Sequence, residues 1–231
     1  MTDDRCWSVW VQAGLAALTL LGAPSSSLAQ TPPSATEAAA YRGLHAAAHA
    51  GDVEAIRKLI GGADRNARDG NGRTALHVAA FARKPDAVTA LLKGGVDPSL
   101  LDNQRYDAVT VASVQDDVPT LKALLANGAS AKLITSRYDG TALIAAAHLG
   151  HDGVVKELIR AGAPLDHVNN LGWTALIEAV ILGDGGPRHQ ETARALVAAG
   201  ANRAIADREG ATPLEHAERR GYREMIAILE R

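Results

Sequence analysis

The sequence contains almost no cysteine and few aromatic residues, and neither sign of charge dominates it. Cys6 is the single cysteine among 231 residues, so no pair of thiols exists for a disulfide or for a sulfur-ligated metal. Aromatic residues make up 3% of the chain, which disfavours a β-sheet core because sheets are enriched in aromatic and β-branched side chains. The formal net charge of −2 predicts no general affinity for nucleic acid or an anionic membrane.

The first thirty residues have the pattern of a secretory signal peptide. The apolar run 9–21 is shorter than the about 17–25 residues that a membrane-spanning helix needs. A Ser-Leu-Ala tripeptide ending at Ala29 supplies the small residues of a cleavage site. Asp3 and Asp4 weaken the positive charge expected before the run, which keeps an uncleaved anchor or a misassigned start open as alternatives. We expect a signal peptide over residues 1–29 and a mature chain that is periplasmic or secreted, without stable membrane insertion.

The rest of the chain is built from six similar copies that follow one another at nearly equal intervals. Aligning the copies gives one column that contains alanine in all six: Ala47, Ala79, Ala112, Ala146, Ala179 and Ala217. A second column contains leucine in all six: Leu59, Leu91, Leu124, Leu158, Leu196 and Leu229. Four of the five intervals in the leucine column are equal to within one residue either way, and the interval from Leu158 to Leu196 is longer. Such a period indicates a stack of repeated units in which no unit is stable alone.

Each copy has the sequence of two short helices that follow a polar hairpin. The hairpin leads to a threonine, or to Asp107 in the third copy, which can cap the first helix. The first helix is rich in alanine, which allows adjacent copies to approach closely. The second helix carries leucines that we expect the next copy to bury. A glycine such as Gly95 or Gly162 ends it, where the backbone must enter the left-handed region.

These residues resemble the ankyrin repeat, a unit of about 33 residues with the pattern Thr-Pro-Leu-His-x-Ala. Residues 74–79 (TALHVA) and 212–217 (TPLEHA) carry the resemblance most clearly. It covers about residues 38–231 and implies an all-α ankyrin-repeat solenoid of about six helix-turn-helix units with short β-hairpin loops. Together with the leader, the chain is similar to small exported bacterial ankyrin-repeat proteins. The third unit matches weakly, so a local distortion there stays open.

The resemblance also sets the expected domain boundaries. Residues 30–36 form a Pro/Ser linker, and Ser34 with Glu37 has the spacing of a capping box that opens the first helix. The ankyrin-repeat domain is expected to span residues 37–231, with no separate second domain. Its units lie approximately at 37–68, 69–101, 102–135, 136–168, 169–206 and 207–231.

Two patterns resemble chemical sites, and the repeat explains both better. His45 and His49 lie four residues apart, as in a helical zinc site, but no third ligand is evident and His45 occupies the repeat position of His77. The glycine-rich stretch 183–188 follows a helix and lacks the Gly-Lys-Ser/Thr ending of a phosphate-binding loop. No nucleophile–base–acid set emerges. We therefore predict no catalytic residues, no metal site and no cofactor.

The long interval between Leu158 and Leu196 exceeds the usual period by five residues and so indicates an insertion in the fifth unit. The insertion lies between Ala179 and Leu196, in the turn that joins the two helices, and we expect Pro187 to begin the second helix. A lengthened loop either carries function or is a tolerated surface insertion, and the sequence leaves both interpretations open. The candidate residues of this loop are Asp184, Pro187, Arg188 and His189.

The family resemblance implies a concave surface, formed by hairpin tips and exposed positions of the first helices, that binds another protein. The candidate contact residues are Arg73, Phe81, Tyr106, Tyr138, His148, Trp173, Ile181 and Arg219. Clustered aromatic and arginine side chains are typical of binding hot spots, although Tyr106 and Trp173 could instead cover hairpin backbone. We predict a non-catalytic protein–protein interaction scaffold in the bacterial periplasm, with no nucleic-acid partner. The alternative is a small-ligand binder or enzyme that uses the groove and the loop 183–190.

Overall fold

The structure, a computed structural model, describes residues 30–62 and 64–230. The predicted signal peptide, residues 1–29, lies outside the described residues. Within them the chain forms thirteen helices and no β-strand. A short helix α1 (Ala35–Ala40) precedes six helix pairs. The pairs are α2 (Gly43–Ala50) with α3 (Val53–Leu59), α4 (Ala75–Phe81) with α5 (Pro85–Lys93), α6 (Ala108–Val114) with α7 (Val118–Ala126), α8 (Ala142–His148) with α9 (Asp152–Arg160), α10 (Ala175–Ile181) with α11 (Pro187–Ala198), and α12 (Pro213–Arg220) with α13 (Arg223–Leu229).

The helix pairs stack in two layers. The first helix of each pair contacts the first helices of its neighbours, and the second helices contact one another in the same way. The buried apolar residues therefore form one continuous core along the stack, as expected when each unit buries its apolar side against adjoining units. The prediction of an all-α solenoid of about six units is confirmed. None of the helices described is long and apolar enough to span a membrane.

The hairpins between pairs are held by a side chain and one backbone pair. Asp69 donates its N–H to the Arg73 carbonyl at 2.9 Å, and its Oδ1 accepts from the Asn71 and Arg73 amides at 2.8 Å each. The equivalent side chains of Asp102, Asn169 and Asp207 accept two amides in the same way. Asx side chains favour such turns because they satisfy local backbone donors.

The capping predictions from the sequence are confirmed at several helices. Thr141 and Thr174 accept the third amide of α8 and α10 at 3.3 and 3.2 Å. Asp107 accepts the Thr110 amide at 2.9 Å, and the third unit has helices of seven and nine residues, like the second. The weak sequence match of the third unit therefore does not change the lengths of its two helices. Ser34 and Glu37 form the expected capping box, but the helix they open is the additional α1.

The alanine column lies where adjacent inner helices meet. Five of its members are fully buried, and Ala47 in the first unit is 6% exposed. Alanine has no side chain beyond Cβ, so the helices approach closely and their other side chains interdigitate. The burial predicted for this column is confirmed.

The leucine column corrects one expectation about which neighbour buries these side chains. From the repeat pattern we expect the next unit to bury these leucines, which would leave the last leucine of the stack exposed. Instead Leu229, in the last unit, is 3% exposed, whereas Leu59, in the first unit, is 39% exposed. The four leucines between them are fully buried. The preceding unit therefore covers each leucine, and Leu59 lacks such a neighbour.

A histidine links adjacent units at the base of the hairpins. His77 Nδ1 accepts from the Thr74 amide at 3.2 Å, and its Nε2 donates to the Tyr106 carbonyl of the next unit at 2.9 Å. His45 makes the equivalent contact with the Arg73 carbonyl at 3.0 Å. The prediction that His45 occupies the repeat position of His77 is thus confirmed. Burial lowers the pKa of His77, because the charged imidazolium loses its hydration there.

Replacing a buried leucine of the column should destabilise the chain strongly. Leu158→Ala removes a fully buried side chain, and we expect a loss of about 2–5 kcal/mol in the free energy of unfolding. Leu59→Ala is the matched control, since Leu59 is 39% exposed and should cost well under half as much. Urea unfolding followed by circular dichroism measures both. Equal losses for the two variants would contradict the burial pattern.

The stability of the fold should decrease in mild acid through His77. The folded state holds this imidazole neutral, whereas the unfolded chain takes up a proton below the ordinary pKa of 6.5. The unfolded state then binds more protons, so the free energy of unfolding falls as the pH drops below that value, by at most about 1.4 kcal/mol per pH unit for this group. His77→Gln keeps a donor for the Tyr106 carbonyl and should flatten the profile. Unfolding titrations between pH 5 and 8 measure this, and an unchanged slope would contradict it.

Candidate functional site

The hairpin of the fourth unit differs from the others in length and shape. Thr141 follows Thr135 by six positions, whereas Thr74 follows the equivalent Asp69 by five. The extra residue is accommodated by positive φ at Ser136 and Asp139, 62° and 51°, and Thr135 pairs with Gly140 as the one isolated β-bridge of the described chain. The hairpin therefore has one residue more at its tip than the hairpins of the second, third, fifth and sixth units.

The tip of the fourth-unit hairpin carries an exposed aromatic side chain on a backbone held by the next hairpin. Tyr138 is 42% exposed, and the Arg137 guanidinium lies 5.1 Å from the centre of its ring, a distance that favours cation–π attraction. From the fifth-unit hairpin, Asn170 donates its amide to the Tyr138 carbonyl at 2.9 Å and its Nδ2 to the Arg137 carbonyl at 3.0 Å. These bonds fix the direction of the tip.

A groove of about 700 Å³ runs beneath this tip, between the hairpins of units three to five and the helices α8 and α10. Three large apolar side chains with exposed surface line it: Tyr138, Leu171 and Leu182, at 42%, 37% and 41%. Exposed apolar surface collected in one concavity, and not scattered singly, is characteristic of an interaction site. We call this concavity the concave groove.

A carboxylate lies at the floor of the concave groove. Glu178 is 5% exposed, and its Oε1 accepts from Asn169 Nδ2 at 2.8 Å. Its Oε2 lies 3.3 Å from Nδ1 of His148, whose side chain is 42% exposed. Asn169 stands where the second, third and sixth hairpins have aspartate, and the amide avoids placing two carboxylates in contact. The site therefore combines an apolar rim with a polar, hydrogen-bonded floor.

The N-terminal half of the predicted binding face is covered by the chain itself. Arg73, predicted to lie at the surface, is 4% exposed because it donates to the Thr31 carbonyl at 2.6 Å and lies 3.6 Å from the Glu37 carboxylate. Its guanidinium also lies 5.3 Å from the centre of the half-buried Phe81 ring. Tyr106, likewise predicted at the surface, is 5% exposed, and this burial raises the pKa of its phenol.

The remaining predicted contact residues are distributed along the C-terminal half. Tyr138 and His148 line the concave groove. Trp173 and Ile181 are half-buried beside it in the chain, and Arg219 is exposed on the last inner helix. Tyr106 also lines the groove but is buried. Of the eight predicted residues, Tyr138 and His148 are therefore the two whose exposed side chains line the groove.

The insertion in the fifth unit is divided between a turn and a helix. The turn 182–186 is two residues longer than the turn 149–151 of the fourth unit, and α11 has twelve residues against nine in α9. Pro187 begins α11 as predicted. Of the five inserted residues, three therefore lengthen the second helix and two lengthen the turn.

Polar side chains of the insertion bind other parts of the stack. Arg188 pairs with Asp116 at 2.5 Å and donates from Nε to the Gly150 carbonyl at 3.1 Å. His189 lies 3.0 Å from both Asp184 Oδ1 and the His148 carbonyl. Hydrogen bonds from the Gly186 amide and from His189 lower the pKa of Asp184. These contacts favour a structural role for the loop over a ligand site.

Neither the histidine pair nor any other cluster in the described chain forms a metal site. No group of three or more His, Cys, Asp or Glu side chains lies close enough together there to hold an ion. His45 is engaged with the next hairpin, as described above.

Leu171, Leu182 and Glu178 line the groove but are not among the residues predicted from the sequence. Two signals were present. The interval from Leu124 to Leu158 is one residue longer than the one before it, which marks the longer hairpin. Glu178 occupies a column with alanine or valine in four of the other five units. A carboxylate at an otherwise apolar position is a recognisable departure from the repeat.

Comparison with known proteins agrees with this architecture. The family of ankyrin repeats described as three copies matches residues 44–135, 110–202 and 143–230. The putative ankyrin repeat protein YahD of Escherichia coli is 32% identical over 185 residues, 79% of this chain and 92% of YahD. An ankyrin repeat domain from Acinetobacter baumannii is 44% identical with a TM-score of 0.76, over 81% of this chain and 95% of that domain. A structure of a Bdellovibrio bacteriovorus predatory endopeptidase in complex with an immunity protein contains a chain that is 25% identical with a TM-score of 0.64, covering 82% of this chain and 97% of that one.

The stacked helix pairs define a helical-repeat protein with a concave groove on one side of its hairpins. The chain belongs to the ankyrin-repeat family. Domains of this family generally act as scaffolds for protein–protein interaction and not as enzymes.

A side chain at Gly183 should disrupt the turn at the insertion. A Cβ there would collide with the Ala179 carbonyl oxygen and lie 2.7 Å from the His189 ring. We expect Gly183→Ala to lower the free energy of unfolding by about 1–3 kcal/mol, because backbone must move. Gly61→Ala is the control, since a Cβ at Gly61 would meet nothing within 4 Å. Thermal and urea unfolding measure both, and equal stability of the two variants would contradict the close packing.

Proposed function

We propose that this chain is a non-catalytic scaffold that binds another protein through the concave groove, and that it does so in the bacterial periplasm. The observation that carries the proposal is the convergence of Tyr138, Leu171 and Leu182, each more than a third exposed, on one groove of about 700 Å³. Covering these side chains with a partner removes apolar surface from water, which is the main favourable term in association.

The geometry of the groove favours a partner that inserts a loop or a segment into it. Its walls stand on packed helices and on a hairpin braced by Asn170, so little conformational freedom is lost on binding. Glu178 and His148 at the floor supply hydrogen-bonding groups beside the apolar rim. An apolar rim with a few oriented polar groups provides both affinity and orientation.

The Bdellovibrio structure supports a protein as the partner, because a chain of this architecture occurs there in a complex of an endopeptidase with an immunity protein. Periplasmic action is supported by the leader sequence, with its apolar run and its Ser-Leu-Ala cleavage pattern before Gln30. The proposal therefore includes cleavage after Ala29.

Affinity capture from periplasmic extract tests the proposal when groove and control variants are compared. Tyr138→Ala combined with Leu182→Ala removes the groove rim, whereas Leu59→Ala combined with Ile134→Ala removes apolar side chains that are 39% and 50% exposed outside the groove. After mass spectrometry identifies a captured protein, its affinity is measured with purified components. We expect the groove pair to weaken binding about tenfold or more and the control pair to have little effect, with the helical circular dichroism unchanged in both.

The opposite ranking of the two variants would place the binding surface elsewhere. A small molecule that raises the unfolding temperature of the wild type but not of the groove variant, with no captured protein, would favour the small-ligand alternative.

A further inference from the structure

The segment before α1 lies across the hairpins of the second and third units. The Thr31 carbonyl accepts from Arg73 at 2.6 Å, and its amide donates to Gln104 Oε1 at 3.3 Å. Glu37 in α1 accepts from Asn71 Nδ2 and lies 3.6 Å from Arg73. We call residues 30–34 the N-terminal strap.

Gln30, at the start of the strap, has an unusual environment for an amide. It is 4% exposed, and both Oε1 and Nε2 of its side chain are buried without a hydrogen-bond partner. A buried polar group without a partner is costly, because it loses its hydration and gains nothing in return. Burial of such a group invites an explanation beyond packing.

Export, which is part of the proposed function and on which this inference rests, would change the chemistry of Gln30. Cleavage after Ala29 makes Gln30 the first residue. As an ordinary N-terminus it would carry a charged ammonium group one residue from the carbonyl that binds the buried Arg73 guanidinium. Two like charges close to one another repel.

We propose that Gln30 becomes an N-terminal pyroglutamate after cleavage, and that this neutral end docks on the hairpins as the terminus of the strap. The free α-amine of Gln30 attacks its own side-chain Cδ. A bond forms between the α-nitrogen and Cδ, and the bond between Cδ and Nε2 breaks. The α-nitrogen gives up a proton and Nε2 leaves as ammonia, so the closure needs neither an oxidant nor a reductant.

The ring suits the buried position better than the open residue does. Cyclisation removes the positive charge and both N–H donors of Nε2, which lack partners in the structure. The lactam retains one N–H and one carbonyl, a smaller polar demand than an ammonium and a carboxamide together. The strap then stays in place over Arg73, and the concave groove of units three to five remains the open part of the face.

Mass spectrometry of the exported protein tests the inference. The full chain with its own leader is expressed in a Gram-negative host and purified from the periplasm. We expect the N-terminal peptide to begin at residue 30 and to be lighter than the Gln-initiated peptide by one molecule of ammonia, with no reaction at its α-amine in Edman sequencing. A chain that begins at Gln30 with a free amine and its full mass would overturn the inference, as would a first residue other than Gln30.

A matched variant tests the consequence for the strap. Gln30→Asn keeps an amide but is one methylene shorter and cannot close the five-membered ring. We expect its N-terminus to stay open and the amides of residues 31–41 to exchange with solvent several-fold faster than in the wild type. Equal exchange in the two proteins would overturn the docking role of the ring. Both results are independent of the capture experiment, so a failed cyclisation leaves the binding proposal to be judged by its own test.

Discussion

Close contact between adjacent alanine-rich helices is the constraint on which the rest of the structure depends. Five of the six column alanines are fully buried, and a longer side chain at any of them would separate two units along their whole length. This spacing brings the outer helices near enough to bury each leucine against the preceding unit. It also lets a histidine on an inner helix reach the next hairpin, as His77 does to the Tyr106 carbonyl. The other contacts between units therefore depend on this regular spacing of the helices.

The concave groove arises where this regularity is broken. The hairpin of the fourth unit has one extra residue and carries the exposed Tyr138, and the fifth unit replaces an apolar helix residue with Glu178. Both changes leave the inner helices at seven residues, the same length as in the second and third units. Variation at such positions is how a repeat architecture acquires a specific surface while the fold is preserved.

The fold could be predicted from the sequence because the repeat reports packing directly: an invariant alanine column requires close helices, and a leucine column requires a neighbour. The position of Pro187 and the cap at Asp107 followed from local rules in the same way. The surface was less predictable. Arg73 and Tyr106 occupy the repeat positions of a binding face, yet contacts with a segment some forty residues earlier bury Arg73. Contacts between the N-terminal segment and the repeats leave no periodic pattern in the sequence. The exposure of Arg73 could therefore not be inferred from its position in the repeat.

The side chains at the fifth-unit insertion connect parts of the stack that ordinary repeats leave unconnected. Arg188 in the fifth unit reaches Asp116 in the third, and Tyr222 in the sixth donates its hydroxyl to the Gly183 carbonyl of the fifth at 3.3 Å. A solenoid whose units contact only their immediate neighbours can bend at each junction between units. The Arg188–Asp116 contact skips the fourth unit, and the Tyr222 contact adds a bond between the fifth and sixth units, so we expect bending between the third and sixth units to be reduced.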